Sequence, residues 1–238
     1  MAIVSNEAAA LQRAKEAIPP LEHGDRLTRV EFERRYEAMR NLKKAELIEG
    51  RVYMPSPVKP PHGRPHSRMT GWLLVYEAAT PGVASSTNTT VRFDDDNEPQ
   101  PDVLLAIEPS YGGQSHVDEE GYLSGSPELL VEIASSSVSY DLQDKLHVYR
   151  RQGVREYLVW RVRDAELDWF QLVEGSYAPL PRDASGIVKS IVFPGLWLDA
   201  AAMLKGDLTR VFAVLQGGTA SPEHTTFVAA LQERHERS

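Results

Sequence analysis

Residues 127–162 read PELLVEIASSSVSYDLQDKLHVYRRQGVREYLVWRV. PELLVEIA (127–134) is an apolar run of strand length, bounded by proline on one side and serines on the other. Strand parity puts Leu130, Glu132 and Ala134 on one face and Leu129, Val131 and Ile133 on the other. A strand apolar on both faces is a buried strand. DLQDKLHVYRRQG (141–153) predicts a helix with Leu142, Leu146 and Tyr149 on its buried stripe, closed by Gly153. VREYLVWRV (154–162) predicts a second strand. A helix between two buried strands calls for a sheet with helices packed on it.

The same alternation extends outward. A helix is expected from about Leu27, with Thr28 as N-cap and Glu31 completing a capping box. AELIEGRVYM (45–54) reads as strand with a turn at Glu49-Gly50. PSPVKPPHGRP (55–65) reads as loop, because five prolines in eleven residues oppose a helix. Residues 66–80 predict a helix, 83–93 a β-prone run, 94–100 a charged turn and 101–107 a buried strand. A polar loop over 108–126 follows, and beyond residue 162 the runs 165–173, 177–180 and 186–199 read as strands or turns. The fold class is therefore α/β or α+β, with a mixed β-sheet flanked by helices.

Three parts are expected: an N-terminal arm (1–25), a main domain (26–205) and a C-terminal helical extension (206–238). In the extension GGTASPEH reads as a linker before a terminal helix, and the whole tail as peripheral or packed on a partner chain.

Composition narrows the function. The 238 residues include no cysteine, which excludes disulfides, thiolate metal sites and a cysteine nucleophile. Formal net charge is −8, from 26 basic and 34 acidic residues, which argues against a basic coat for non-specific nucleic-acid binding. There is neither a run of about 18 apolar residues nor a basic start followed by an apolar stretch, so a cytoplasmic protein is expected.

Acids stand where burial makes them costly. Asp102 follows Pro101 and heads VLLAI; Glu132 lies inside LLVEIA; Glu46 shares parity with Ile48 and Val52. An ionised carboxylate in such a place needs compensation worth several kcal/mol (~3–5). A hard cation satisfies converging acids, and magnesium takes only one or two carboxylates with water and phosphate. Lys145 lies at the edge of its helix stripe, either paired with Asp141 or reaching over Glu132. His66 opens the second helix; with Gly63 and Pro65 between them, His62 and His66 are a poor zinc pair.

These pieces, in order, resemble the Uma family of restriction endonucleases within the PD-(D/E)XK nuclease superfamily. The resemblance runs through ELIEGRVYMPSP (46–57), His66, PD (101–102), SPELLVEIASSSVSYDLQDK (126–145) and YRRQGVREYLVW (149–160), and spans roughly residues 27–205. The superfamily's Glu-x-Lys is here Glu132-Ile133-Ala134, and the family's displaced lysine falls on Lys145. The resemblance implies a restriction-endonuclease-like sheet and a metal-dependent endonuclease. Asp102 and Glu132, with Glu46, would hold Mg²⁺ or Mn²⁺; Lys145 would position the attacking water or stabilise the transition state; His66 would contact substrate. It also implies a nucleic-acid substrate, DNA above all, and no membrane. A homodimer is consistent with it, with Trp169, Phe170 and the last helix as contact surfaces. The alternative is a nuclease fold kept without turnover, for binding or regulation. A β-rich small-molecule barrel would leave Glu132 unexplained.

Overall fold

The computed structural model describes residues 18–54, 60–135 and 140–238. The expected N-terminal arm up to residue 17, part of the proline loop (55–59) and the serine run (136–139) lie outside them.

Helix α1 (Arg29–Ala38) precedes a hairpin of β1 (Glu46–Ile48) and β2 (Arg51–Tyr53). Glu49 and Gly50 both have positive φ (52° and 69°), as a two-residue turn between twisted strands requires. The capping box does not form. Thr28 makes no side-chain cap bond, and Glu31 instead pairs with Arg34 and Arg35 one turn further along.

Helix α2 runs Pro60–Ala79, so the helix begins earlier than the expected loop boundary at residue 65. Pro60 and Pro61 occupy its first turn, where backbone N–H groups have no helical partner in any case. Only Pro65 costs an internal bond.

Strands β3 (Val83–Thr87), β4 (Val91–Arg92) and β5 (Val103–Ile107) follow. The expected loop over 108–126 contains β6 (Ser115–Val117) and β7 (Leu123–Gly125), which join β4 in a small sheet of order β4-β7-β6. After β8 (Leu129–Ala134), one π-helical turn (Asp141–Lys145) leads into α3 (Leu146–Arg151). Strands β9 (Glu156–Arg161), β10 (Glu166–Val173) and β11 (Ser176–Pro179) come next, then the pair β12 (Ile187–Lys189) and β13 (Trp197–Asp199).

The central sheet has the order β11-β10-β9-β8-β5-β3. Only β8 and β9 run parallel, joined across the helix between them; every other pair in this sheet is antiparallel. Each face carries its own core, as the double-sided apolar pattern requires. Leu105, Leu129, Val131, Ile133 and Leu158 pack on Met69, Trp72, Leu73 and Tyr76 of α2. Leu104, Leu130, Ala134 and Val159 pack on Val148 and Tyr149 of α3. Glu132 belongs by parity to this second face.

Helices α4 (Ala200–Lys205), α5 (Leu208–Thr219) and α6 (Pro222–His235) close the chain. The expected linker at 217–224 is reduced to Ala220 and Ser221, where Ser221 caps α6. Val211, Leu215 and Leu231 of these helices enter the same core as α2. Trp169 is buried too, edge-on to Trp72 and donating to Glu156, so it offers no contact surface. Its position opposite Leu158 in the sheet turns it inward. None of the described helices is long and apolar enough to cross a membrane.

Candidate active site

The register of β5 and β8 pairs Val103 with Val131, and one step further sets Asp102 opposite Glu132. Asp102 sits at the mouth of β5. Its Oδ2 accepts the backbone N–H of Ile133 at 2.8 Å. Its carbonyl oxygen accepts from His66 Nε2 at 2.9 Å. His66 thus holds the main chain of Asp102, while His62, one helical turn earlier, lies 3.4 Å from Oδ1 of the carboxylate. The two rings stack with centroids 6.1 Å apart. Lys44 Nζ lies 3.7 Å from the same oxygen.

Glu132, Glu46 and Lys145 meet directly. Lys145 Nζ donates to Glu132 Oε1 and to Glu46 Oε1, each at 2.8 Å. Glu46 Oε1 also accepts the Gln100 N–H at 2.7 Å, and Tyr149 donates its hydroxyl to Glu132 Oε1 at 2.9 Å. Asp141 Oδ1 is 3.9 Å from the ammonium. The Tyr140 ring covers it, with 5.2 Å from Nζ to the centroid.

The π-turn explains why Lys145 is inside and not at the edge of a stripe. A turn widened by one residue rotates the side chains ahead of α3 by about 100° relative to a continuous α-helix. The buried positions become Asp141, Lys145, Val148 and Tyr149, while Leu142 and Leu146 are only half-buried. Such turns recur at functional sites.

Among the described residues, four buried acids, Glu46, Asp102, Glu132 and Asp141, cluster with one buried amine, Lys145. Burial and the neighbouring acids push Glu132 well above the ordinary carboxylate range, against the pull of Lys145. Burial works against the Asp102 charge as well, but the neighbouring His62 ring, the Lys44 charge and the Ile133 N–H bring its pKa down to about 2. His62 is raised by that same contact with Asp102. Asp102 and Glu132 are thus driven in opposite directions, the pattern that marks functional pairs of carboxylates.

Two other buried acids, Glu156 and Glu128, are met by uncharged donors, whereas buried Glu98 lies beside the Arg92 guanidinium. Glu156 accepts from Trp169, Ser190 and the N–H groups of Ile191 and Val192. Glu128 accepts the N–H groups of Ile107 and Gln114. These tie strands to loops.

Among the described residues no three acids or imidazoles form a ready-made metal shell. The donor set nevertheless fits a hard cation. Two cross-strand carboxylates, Asp102 and Glu132, stand in a cluster with more buried acids than buried amines. Magnesium and manganese need few protein carboxylates when water and phosphate complete the shell.

Sequence reasoning did not single out Lys44, His62, Tyr140 or Tyr149 as parts of the site. Tyr149 read as core, and His62 was set aside because a helix through Gly63 and Pro65 looked doubtful. The position of Lys44, two residues before Glu46, was the one signal available for it.

Residues 29–201 match the model of the Uma2 family, described as "Putative restriction endonuclease". Four chains of solved structures match. One is a crystal structure of "a putative nuclease belonging to DUF820" from Anabaena variabilis ATCC 29413. It is 14% identical, covers 67% of this chain and 90% of its own, and superposes with a TM-score of 0.50. That likeness shows the fold. No curated protein matches.

Proposed function

The chain belongs to the Uma2 family of restriction endonucleases, and from that premise we propose that it is a metal-dependent phosphodiester hydrolase acting on DNA at Asp102, Glu132 and Lys145. The observation that carries the reading is the meeting of Glu46, Glu132 and Lys145 beside Asp102, brought together from four separate segments of the chain.

Asp102 and Glu132 would hold Mg²⁺ or Mn²⁺, with Glu46 nearby to reach the ion through water. A divalent ion at such a site lowers the pKa of water and offsets charge on phosphate. The chain's own groups then have defined tasks. Glu46 and Glu132 hold the Lys145 ammonium in place, and the Tyr140 ring shields it. Lys145 orients the attacking water or stabilises the charge that develops on the phosphoryl oxygens. Tyr149 fixes Glu132 Oε1. The Ile133 N–H and His66 fix the two ends of Asp102. His66, bonded to the Asp102 main chain, serves substrate through that acid. A homodimer would supply one site per strand of a duplex, and sedimentation in the presence of DNA measures it.

The reading is tested by calorimetric titration of Mn²⁺ into the protein and into Asp102→Ala, alongside cleavage of plasmid DNA by the protein and by Glu132→Ala. Metal binding lost in the first variant and cleavage lost in the second are the expected results. Cleavage that survives Glu132→Ala sinks the assignment. Absence of both binding and cleavage in the unaltered protein favours a nuclease fold kept for binding alone.

A further inference from the structure

We infer that Lys44 and His62 form the phosphate-gripping rim of this site, each binding a non-bridging oxygen of the nucleic-acid backbone. The inference rests on the nuclease reading above and deepens it by assigning the groups that meet substrate.

The site's nitrogen donors are held in two different ways. Lys145 is buried and locked, at 2.8 Å from each of two carboxylates. Charge-assisted contacts of that length are the strong ones. Lys44 and His62 are different. They come from separate elements, the chain just before β1 and the first turn of α2, and converge on one oxygen, Asp102 Oδ1. Their distances of 3.7 and 3.4 Å are too long for tight pairing. Both side chains are about a fifth exposed, whereas the Asp102 side chain beneath them is 8% exposed. They therefore stand on the solvent side of the buried acid.

Charge then decides what they are for. The cluster of Glu46, Asp102, Glu132 and Asp141 repels an incoming phosphate, and Lys145, buried beneath the surface between two of these acids, does not meet it at the entrance. A polyanion approaching from solvent must meet N–H donors and a positive charge first. Lys44 and His62 hold that position. If their whole task were to neutralise Asp102, one close partner would do it better than two distant ones. The Ile133 N–H already serves the other oxygen of that carboxylate. Neither residue forms or breaks a bond in this role. Each supplies an N–H donor, and Lys44 a fixed charge.

The test is fluorescence anisotropy of fluorescein-labelled oligonucleotides, single-stranded and duplex, titrated with the full chain over a range of salt concentrations. The Glu132→Gln background keeps the probe intact. Lys44→Met is expected to lower the slope of log affinity against log salt by about 1, uniformly across probe sequences, as loss of one phosphate contact does. Lys44→Arg is expected to restore it, which also guards against misfolding. His62→Gln is expected to weaken binding severalfold at fixed salt. Lys189→Met, which removes a lysine stacked on Trp197, is expected to leave the slope as it was. An unchanged slope in Lys44→Met, or an equal loss in Lys189→Met, overturns the inference while leaving the nuclease reading standing. A background protein that binds neither probe overturns both.

Discussion

Lys145 Nζ lies 2.8 Å from Glu132 Oε1, and the two residues come from β8 and from the π-turn that follows it. Both are almost wholly inaccessible to water. The pair is therefore the electrostatic hinge of the site. The lysine makes the buried acids tolerable, and the acids aim the lysine.

Lys145→Met tests that dependence. Removing one partner of a buried pair costs about 3–5 kcal/mol, because the remaining charge is left without compensation. Here Glu46 and Glu132 are both left. A carboxyl whose folded pKa lies above its unfolded value is stabilising below the unfolded value, and that stability is lost as pH rises through the folded one. Glu132 is already displaced upward by burial, and loss of the ammonium raises it further. The variant is thus expected to be much less stable than the parent at pH 8 and only slightly so at pH 5. Urea unfolding at the two pH values measures it. An equal penalty at both would mean that packing, not charge, is what Lys145 supplies.

Asp102 titrates the other way. Its folded pKa of about 2 lies below the ordinary carboxylate value. The stability it contributes is present above that ordinary value and disappears as pH falls from roughly 4 toward 2. Asp102→Asn is expected to cost stability at neutral pH and to flatten the acid limb of the curve below pH 4. Thermal unfolding across pH 2–6 checks both. A variant whose acid limb matches the parent's would place the depressed carboxyl elsewhere.

How much of this was legible in the sequence follows from how each residue is held. The double-sided apolar strands announced a covered sheet, because nothing else explains Leu129, Leu130 and Val131 in succession. The same reasoning flagged Asp102, Glu46 and Glu132 as acids in costly positions. It had no means of separating them from Glu156, which also stands in a buried strand. The difference lies in partners contributed by distant segments: N–H and O–H donors for Glu156, a lysine and further acids for Glu132. Lys145 read as a stripe edge because a π-turn has no pattern of its own in a helical periodicity. His62 was hidden by Gly63 and Pro65, which oppose a helix; the helix starts early because Pro60 and Pro61 fit its first turn, and it runs through Pro65 at the cost of one internal bond.

Glu156→Gln exploits that difference. The change puts an amide where four groups donate, so at least one donor is left unsatisfied. A loss of roughly 1–3 kcal/mol is expected. Because Glu156 anchors the segment before β13 and not the acid cluster, Mn²⁺ affinity is expected to stay within twofold of the parent. Denaturation and calorimetry on the same sample read both quantities. A large loss of metal affinity would mean that the two buried acids belong to one network.

His66 separates two roles for a histidine next to the carboxylate proposed to hold the metal. Its Nε2 is engaged by the Asp102 carbonyl, so it supports the acid from behind. Partners of this kind typically change metal affinity by about 10–100-fold when removed. His66→Ala is expected to weaken Mn²⁺ binding about tenfold in calorimetry, with His66→Gln closer to the parent because its amide can still donate. A residue touching substrate would behave differently: metal affinity would hold, and KM would rise with kcat nearly unchanged. Measured side by side, unchanged Mn²⁺ binding and a raised KM in His66→Ala would move this histidine to the substrate side of the site, next to His62. The expected pattern keeps it behind Asp102.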